Sequence, residues 1–415
     1  MNNKNTVWRR VFTKRMLICV LTGFSSGLPL YLLIQLLPAW LRKEGISLEV
    51  IGLFSLFGLP YAWKFLWAPL VDRYTVPWLG RRRGWMLVCQ LLLLVSIAGF
   101  GFINPKESIV AAALLAGVVA FFSASQDIVI DAYRRELLPD EELGLGNSIH
   151  VQAYRIAGLV PGMLAFVLSD HMPWTSVYVI VALFMLVGVG LTLFFPEPIQ
   201  QPQMPSTLRS AVVEPFTEFI DRQGARKALM IIVFIFLYKL GDNMAVALSS
   251  PFYLDLGFSM SEIGIIVKNF ALWPAILGGL LGGIWMLKLG INRALWIFGL
   301  FQWLTIFGFA WLAEIGDNKV VLATVIAAEY AAVGLGTSAF IAFIARETNP
   351  RYAATQLALF TALASVPRIF ANATTGFIVA QTGWTSFFLI CAALAIPGLL
   401  LLWWVAPLGT ETELE

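Results

Sequence analysis

Nine charged side chains fall inside otherwise apolar stretches of this 415-residue chain: Lys64, Asp127, Asp131, Arg155, Lys239, Asp242, Lys268, Glu329 and Arg368. Each costs about 2.5–3.5 kcal/mol to place in hydrocarbon, so each needs a cavity, a partner or a task. Asp127 and Asp131 are four apart and share one face of a helix. Two carboxylates so placed disfavour double ionisation, which is what a site that carries a proton requires. Their structural alternative is an interfacial ion pair, because Arg134 and Arg135 follow directly. Glu329, central in its own apolar stretch and followed by Tyr330, is a further candidate for proton coupling.

Lys239 and Asp242 stand three apart in TyrLysLeuGlyAspAsn and share a face, with Asn243 and Tyr238 adding polar groups at that depth. An internal ion pair and a substrate or coupling role are both open to them. Tyr154 and Arg155 form one polar cluster, and Arg368 and Asn372, four apart, form another. Lys268 and Asn269 make a third. Depth counting places Asp127 level with Arg155 and so allows those two to pair. The candidate substrate-binding set is Gln126, Tyr154, Arg155, Lys239, Asp242, Asn243, Lys268, Asn269, Arg368 and Asn372. Basic groups outnumber acidic ones here, which suits an anionic substrate, and nearby aromatic rings suit sugars as well as core packing.

Other chemistries have no residues to support them. No phosphate-binding GlyXXXXGlyLys, catalytic triad or HisGluXXHis occurs, so the chain reads as neither an ATPase nor an enzyme, with no cofactor, no metal site and no nucleic-acid partner. Cys19, Cys89 and Cys391 are scattered in apolar runs and read as packing residues. His171 belongs to a surface turn and His150 to a helix start.

The elements that must position these groups are membrane helices. Hydrophobic residues make up 59% of the chain and charged ones 13%, about half the charge that a soluble domain carries. The first apolar run follows a basic start but is too long for a signal peptide and reads as a retained span. Spans are predicted at about 16–40, 49–70, 84–103, 108–133, 144–168, 173–195, 228–250, 261–287, 292–312, 319–345, 352–380 and 384–407, twelve in all. Alternate loops and the termini hold nineteen basic residues against four on the other side. That asymmetry puts both termini in the cytoplasm. The Pro- and Gln-rich stretch 196–227 divides a bundle at 1–195 from one at 228–415. GlyIleSerLeuGluValIleGly from Gly45 returns as GlyPheSerMetSerGluIleGly from Gly257, ArgGluLeuLeuPro at Arg135 as ArgGluThrAsnPro at Arg346, and Arg155 as Arg368. Offsets of 211 to 213 argue for internal duplication, an architecture of secondary transporters. The second copy has Ser338 and Ala342 in place of Asp127 and Asp131.

The turn AlaProLeuValAspArgTyrThrValProTrpLeuGlyArgArgArgGly resembles the loop signature of the major facilitator superfamily through Asp72, Arg73, Gly80, Arg81 and Arg82, with an insertion and without the leading glycine. Within that superfamily the chain is similar to the AmpG-type muropeptide permeases. The similarity rests on LeuThrGlyPheSerSerGlyLeuPro, on TrpLysPheLeuTrpAlaProLeuValAspArg from Trp63, and on GlnAspIleValIleAspAlaTyrArgArgGlu from Gln126. It implies the all-α major facilitator fold with two pseudo-symmetric six-helix halves. It also implies proton-coupled uptake of N-acetylglucosaminyl-anhydro-N-acetylmuramyl peptides from periplasm to cytoplasm, across a bacterial inner membrane, for peptidoglycan recycling. The class implies a monomer, and a rocker-switch in which Asp72, Arg73, Arg81, Arg82, Arg83, Arg135, Glu136, Arg346 and Glu347 form a charged cytoplasmic gate. Carriers or exporters of another organic anion or of acyl-coenzyme A share this architecture, and a non-transporting scaffold or receptor is the alternative of a different class.

Overall fold

The computed structural model describes residues 12–68, 71, 74, 76, 79–197, 217–349 and 353–408. Those residues are helical throughout, apart from turns and one isolated bridge between Val76 and Gly80. In chain order the helices are α1 (Lys14–Tyr31), α2 (Leu37–Lys43), α3 (Leu48–Leu53), α4 (Leu59–Trp63), α5 (Arg81–Phe100), α6 (Ile109–Leu137), α7 (Asp140–Ala157), α8 (Ala165–Ser169), α9 (Trp174–Leu183) and α10 (Leu186–Phe194). They continue with α11 (Ala225–Leu237), α12 (Leu240–Ala247), α13 (Ser249–Asp255), α14 (Met260–Glu262), α15 (Lys268–Ile315), α16 (Lys319–Glu347) and α17 (Ala353–Val405). Among the described residues, nine helical stretches are long and apolar enough to cross a membrane, and Leu48–Trp63 is a shorter apolar one. Large apolar side chains stand on the outside, among them Val95, Leu114, Leu287 and Trp403, each about three-fifths or more exposed. Lipid, not water, suits such a surface.

Local sequence explains where the helices start and break. Ser108 caps α6 by accepting from the Ala111 N–H, Asn318 caps α16 through the Val320 and Val321 N–H groups, and Ser259 with Glu262 forms a capping box at α14. Pro161 sits in a wider helical turn, Val160–Leu164, between α7 and α8. The run expected as a span over 49–70 is built of short α and 3-10 turns from Leu48 to Leu66, with Pro60 and Gly58 inside it, and residues 69 and 70 lie outside the described residues. The two longest helices bend at glycines with left-handed backbone, α15 at Gly290 (φ 74°) and α17 at Gly383 (φ 77°).

The described chain forms two compact units. Unit 1 takes Met1–Ile46, Phe57–Gln203 and Ser259–Ile265, and unit 2 takes Ser47–Leu56, Met204–Phe258 and Ile266–Glu415. Each unit therefore borrows one short segment from the other half of the sequence. The two borrowed segments are the GlyIleSer and GlyPheSer repeats, and both begin just after a left-handed glycine, Gly45 (φ 81°) or Gly257 (φ 98°). In unit 1 the borrowed segment is held by Asp170, which accepts the Ser261 N–H at 2.7 Å, and by Gly264 packed on Met163 and Phe166. In unit 2, α3 packs so tightly on α17 that a Cβ on Gly376 would collide with the Leu48 carbonyl.

Unit 1 packs α1 against α7 through Gly23 and Gly27, where a Cβ would strike the carbonyls of His150 and Tyr154. The core of unit 2 is aromatic, with Phe219, Phe234, Phe298, Phe343 and Phe360 all 1% exposed or less.

Candidate functional site

In unit 1 the polar residues gather where α1, α6 and the Leu59–Leu66 turns meet. Asp127, half-buried on α6, accepts a short hydrogen bond from the Ser26 hydroxyl of α1. Asp131, one turn on and more exposed, pairs with Arg134 at 3.0 Å and with Lys64 at 3.6 Å. Depth alone allowed an Asp127–Arg155 pair, but the structure gives Asp127 to Ser26. Arg155 lies beside Tyr31, whose ring packs on Tyr154 at 5.7 Å between centroids. Among the described residues Arg155 has no carboxylate partner.

Gln126 occupies a different kind of place. It is fully buried, and its Nε2 donates to the Ser25 carbonyl at 3.0 Å. That carbonyl is four residues before Pro29, which has no N–H to offer it. Gln126 thus fills the gap that proline leaves in α1.

In unit 2 three residues expected to be functional come together. Lys239, in the break between α11 and α12, donates to Gln302 Oε1 at 2.9 Å and stands 3.9 Å from Asp242. Glu329 on α16 is completely buried and borders Asp242 and Thr305. Asn243 turns back on the Lys239 carbonyl at 2.6 Å. The glycine at 241 stays helical and abuts Cys391 and Ala395, so the break lies at Lys239 itself. Lys268 and Asn269 open α15, half-buried and exposed. On α17, Arg368 is exposed and has no carboxylate partner among the described residues, and Asn372 Oδ1 is buried without a donor.

The charged turns are tightly built. Glu136 accepts from Arg81 at 2.9 Å and from Arg82 at 2.7 Å, and both Glu136 and Arg82 are buried. Arg83 goes elsewhere, to the carbonyls of Thr192 and Leu193 at the end of α10. Glu197 caps α5 by accepting the backbone N–H groups of Arg82 and Arg83 at 2.7 and 3.0 Å. In unit 2, Arg346 binds Asn292 at 2.8 Å and Glu347 at 3.3 Å, while Gln223 donates to Glu347 at 2.9 Å. Arg135 is exposed, and Asp72 and Arg73 lie outside the described residues.

Several residues that matter here escaped the sequence reading. Gln302, Thr305 and Ser26 are polar but uncharged, so a search for charges passes over them. The duplication also runs further than the motifs showed. Trp174 donates to Glu44 at 3.0 Å and Trp384 to Asp255 at 3.0 Å, each tryptophan opening a TrpThrSer repeat at an offset of 210. The Pro196 carbonyl takes the Tyr133 hydroxyl and the Pro407 carbonyl takes Asn292, prolines 211 apart.

Long apolar helices, duplicated turns and charged groups kept inside each unit define a multi-pass α-helical carrier fold. A family profile described as Major Facilitator Superfamily matches residues 19–372. A nucleoside transporter, NupG, superposes with a TM-score of 0.74 at 15% identity, covering 94% of this chain and 98% of that one. A D-xylose-proton symporter superposes with a TM-score of 0.69 at 16% identity over 94% and 97%. In sequence the chain is 51% identical to an uncharacterized protein of Haemophilus influenzae over 99% of its length and 98% of that protein. It is 43% identical to the anhydromuropeptide permease of Escherichia coli K12, over 95% of this chain and 80% of that one. The chain belongs to the major facilitator superfamily and, within it, to the family of the anhydromuropeptide permeases. It is a multi-pass protein of the bacterial inner membrane and a transporter, not a catalytic enzyme fold.

Proposed function

We propose that this protein imports anhydromuropeptides from periplasm to cytoplasm by proton-coupled alternating access. The observation that carries the reading is the 43% identity to the E. coli permease along 95% of the chain. Chemistry within each unit agrees with it. A muropeptide brings peptide carboxylates and sugar rings, and Arg155 beside Tyr31 and Tyr154 in unit 1, or Arg368 in unit 2, offers a cation with no internal counter-charge. Asp127, Asp131 and Glu329 are the carboxylates proposed to couple proton movement.

The proposed architecture is twelve spans in two six-helix halves, 1–195 and 228–415, joined by a cytoplasmic linker at 196–227. Nine long apolar stretches support it, because the two that bend at Gly290 and Gly383 are long enough to cross twice and Leu48–Trp63 supplies a shorter crossing. The excess of basic residues in alternate loops supports cytoplasmic termini. The carrier works as a monomer, with Arg81, Arg82, Glu136, Arg346 and Glu347 among the residues of its cytoplasmic gate.

Uptake of labelled anhydromuropeptide into vesicles holding the purified protein, with an imposed pH gradient, tests this reading. Accumulation driven by the gradient supports it. Equal signal in protein-free vesicles under either polarity rejects it.

A further inference from the structure

Lys239, Asp242, Gln302, Thr305 and Glu329 form a largely buried polar island inside unit 2. Asp242 and Gln302 are 6% and 4% exposed and Glu329 is 0% exposed. Among the described residues, neither oxygen of Glu329 has a donor, nor does Asp242 Oδ1, and Gln302 Nε2 has no acceptor. Thr305 gives its hydroxyl to the Gln302 carbonyl at 2.8 Å. The other titratable groups around the island are Tyr238 and Cys391 beside Asp242, and Tyr253 beside Glu329, with Tyr330 next to Tyr253. None of these supplies a second positive charge.

The charges do not balance. Lys239 carries one positive charge against two carboxylates, and a net buried charge at this depth is far costlier than a protonated acid. Two neighbouring carboxylates can also bond to each other only when one of them holds a proton. We propose that this island binds one exchangeable proton, shared between Glu329 and Asp242, and that the number bound equals its carboxyls minus its ammonium. The bond that forms is O–H on one carboxyl. The proton comes from water, and its release regenerates the carboxylate.

Unit 1 has no counterpart. The duplicated positions, offset by 211, hold Leu28, Tyr31, Leu91 and Val118 where unit 2 holds Lys239, Asp242, Gln302 and Glu329. This lysine–dicarboxylate island is therefore an asymmetric feature of unit 2, seated apart from the exposed Arg368. A small recess lined by Tyr238, Asp242, Gln302, Trp303, Ile306 and Leu399 reaches the island. That this proton drives import rests on the proposed function, but the proton count does not.

Infrared spectroscopy of the purified full-length protein at neutral pH reads the count through the carbonyl stretch of un-ionised carboxyl groups. Relative to wild type, Glu329→Gln and Asp242→Asn each lose one such group, and Lys239→Met gains one. Glu329→Gln and Asp242→Asn spectra that keep the wild-type band, or a Lys239→Met spectrum without added intensity, overturn the proposal. No substrate enters this experiment, so its failure leaves the transport reading untouched. A failure of uptake with the count intact sinks only the assignment of the cargo.

Discussion

Lys239 places its ammonium 2.9 Å from the amide oxygen of Gln302 and 3.9 Å from the carboxylate of Asp242, so its short bond goes to a neutral group. The lysine is thereby fixed without being locked to either buried carboxylate. Removing it should cost more than removing any single hydrogen bond. Lys239→Ala is expected to lower stability by about 3–5 kcal/mol, as for a broken buried pair, and Gln302→Leu by about 1–2 kcal/mol. Thermal unfolding followed by tryptophan fluorescence checks both. Lys239→Met combined with Asp242→Asn should lose less than Lys239→Ala alone, because only one buried carboxyl, Glu329, must then be held protonated instead of two.

Glu136 and Glu347 occupy duplicated positions with unequal partners. Glu136 is the acceptor for Arg81 and for buried Arg82, and Glu136→Gln should cost about 3–5 kcal/mol by removing the negative charge that both guanidinium groups share. Glu347 has Gln223 as a donor that a glutamine oxygen still satisfies, so Glu347→Gln should cost about 1 kcal/mol. The midpoint of heat-induced aggregation, read by size-exclusion chromatography, ranks the two. Equal losses would contradict the asymmetry.

Gln126 and Pro29 form a pair across α6 and α1. Gln126→Leu leaves the Ser25 carbonyl buried without a donor, at about 1–3 kcal/mol. Restoring a backbone N–H with Pro29→Ala should recover part of that loss, so the double-mutant cycle is non-additive. Additive unfolding energies would show that the proline gap is not what Gln126 fills.

Asp170, in the turn between α8 and α9, joins Lys43 at 2.9 Å to the Ser261 N–H at 2.7 Å. Burial works against its charged form, but the bonds from Lys43 and Ser261 outweigh burial and hold its carboxyl below the ordinary Asp range. A lowered value means that the stabilisation is complete above the unfolded value of about 3.9 and fades as pH falls through the folded one. Asp170→Asn should cost about 1 kcal/mol at neutral pH, since the pair is partly exposed. The gap in melting temperature from wild type should close only below about pH 4. A gap that closed between neutral pH and pH 5 would contradict this linkage.

Much of the frame can be read from the chain because the code for it is local. Charge asymmetry, apolar runs and the repeats at Gly45 and Gly257 are patterns along the sequence, and the structure gives both of those glycines left-handed backbone. Lys239 with Asp242, three apart, is legible for the same reason. That Glu329 joins them is not, since α12 and α16 meet only through packing, some ninety residues apart in sequence. Asp127 with Arg155 shows the limit of depth counting. Equal depth fixes height along a helix but not azimuth, and Ser26 held the right one. The TrpThrSer repeat is a local pattern, but its partners Glu44 and Asp255 lie about 130 residues away and give no local sign.

The most direct test of the account is accumulation of labelled anhydromuropeptide in vesicles reconstituted with the wild-type protein, measured with and without an imposed pH gradient. Uptake is expected to rise when protons flow inward and to fall about ten-fold or more, about 1.4 kcal/mol, in Asp127→Asn or Glu329→Gln. Uptake indifferent to the gradient and to both substitutions, or no uptake above protein-free vesicles, would contradict it.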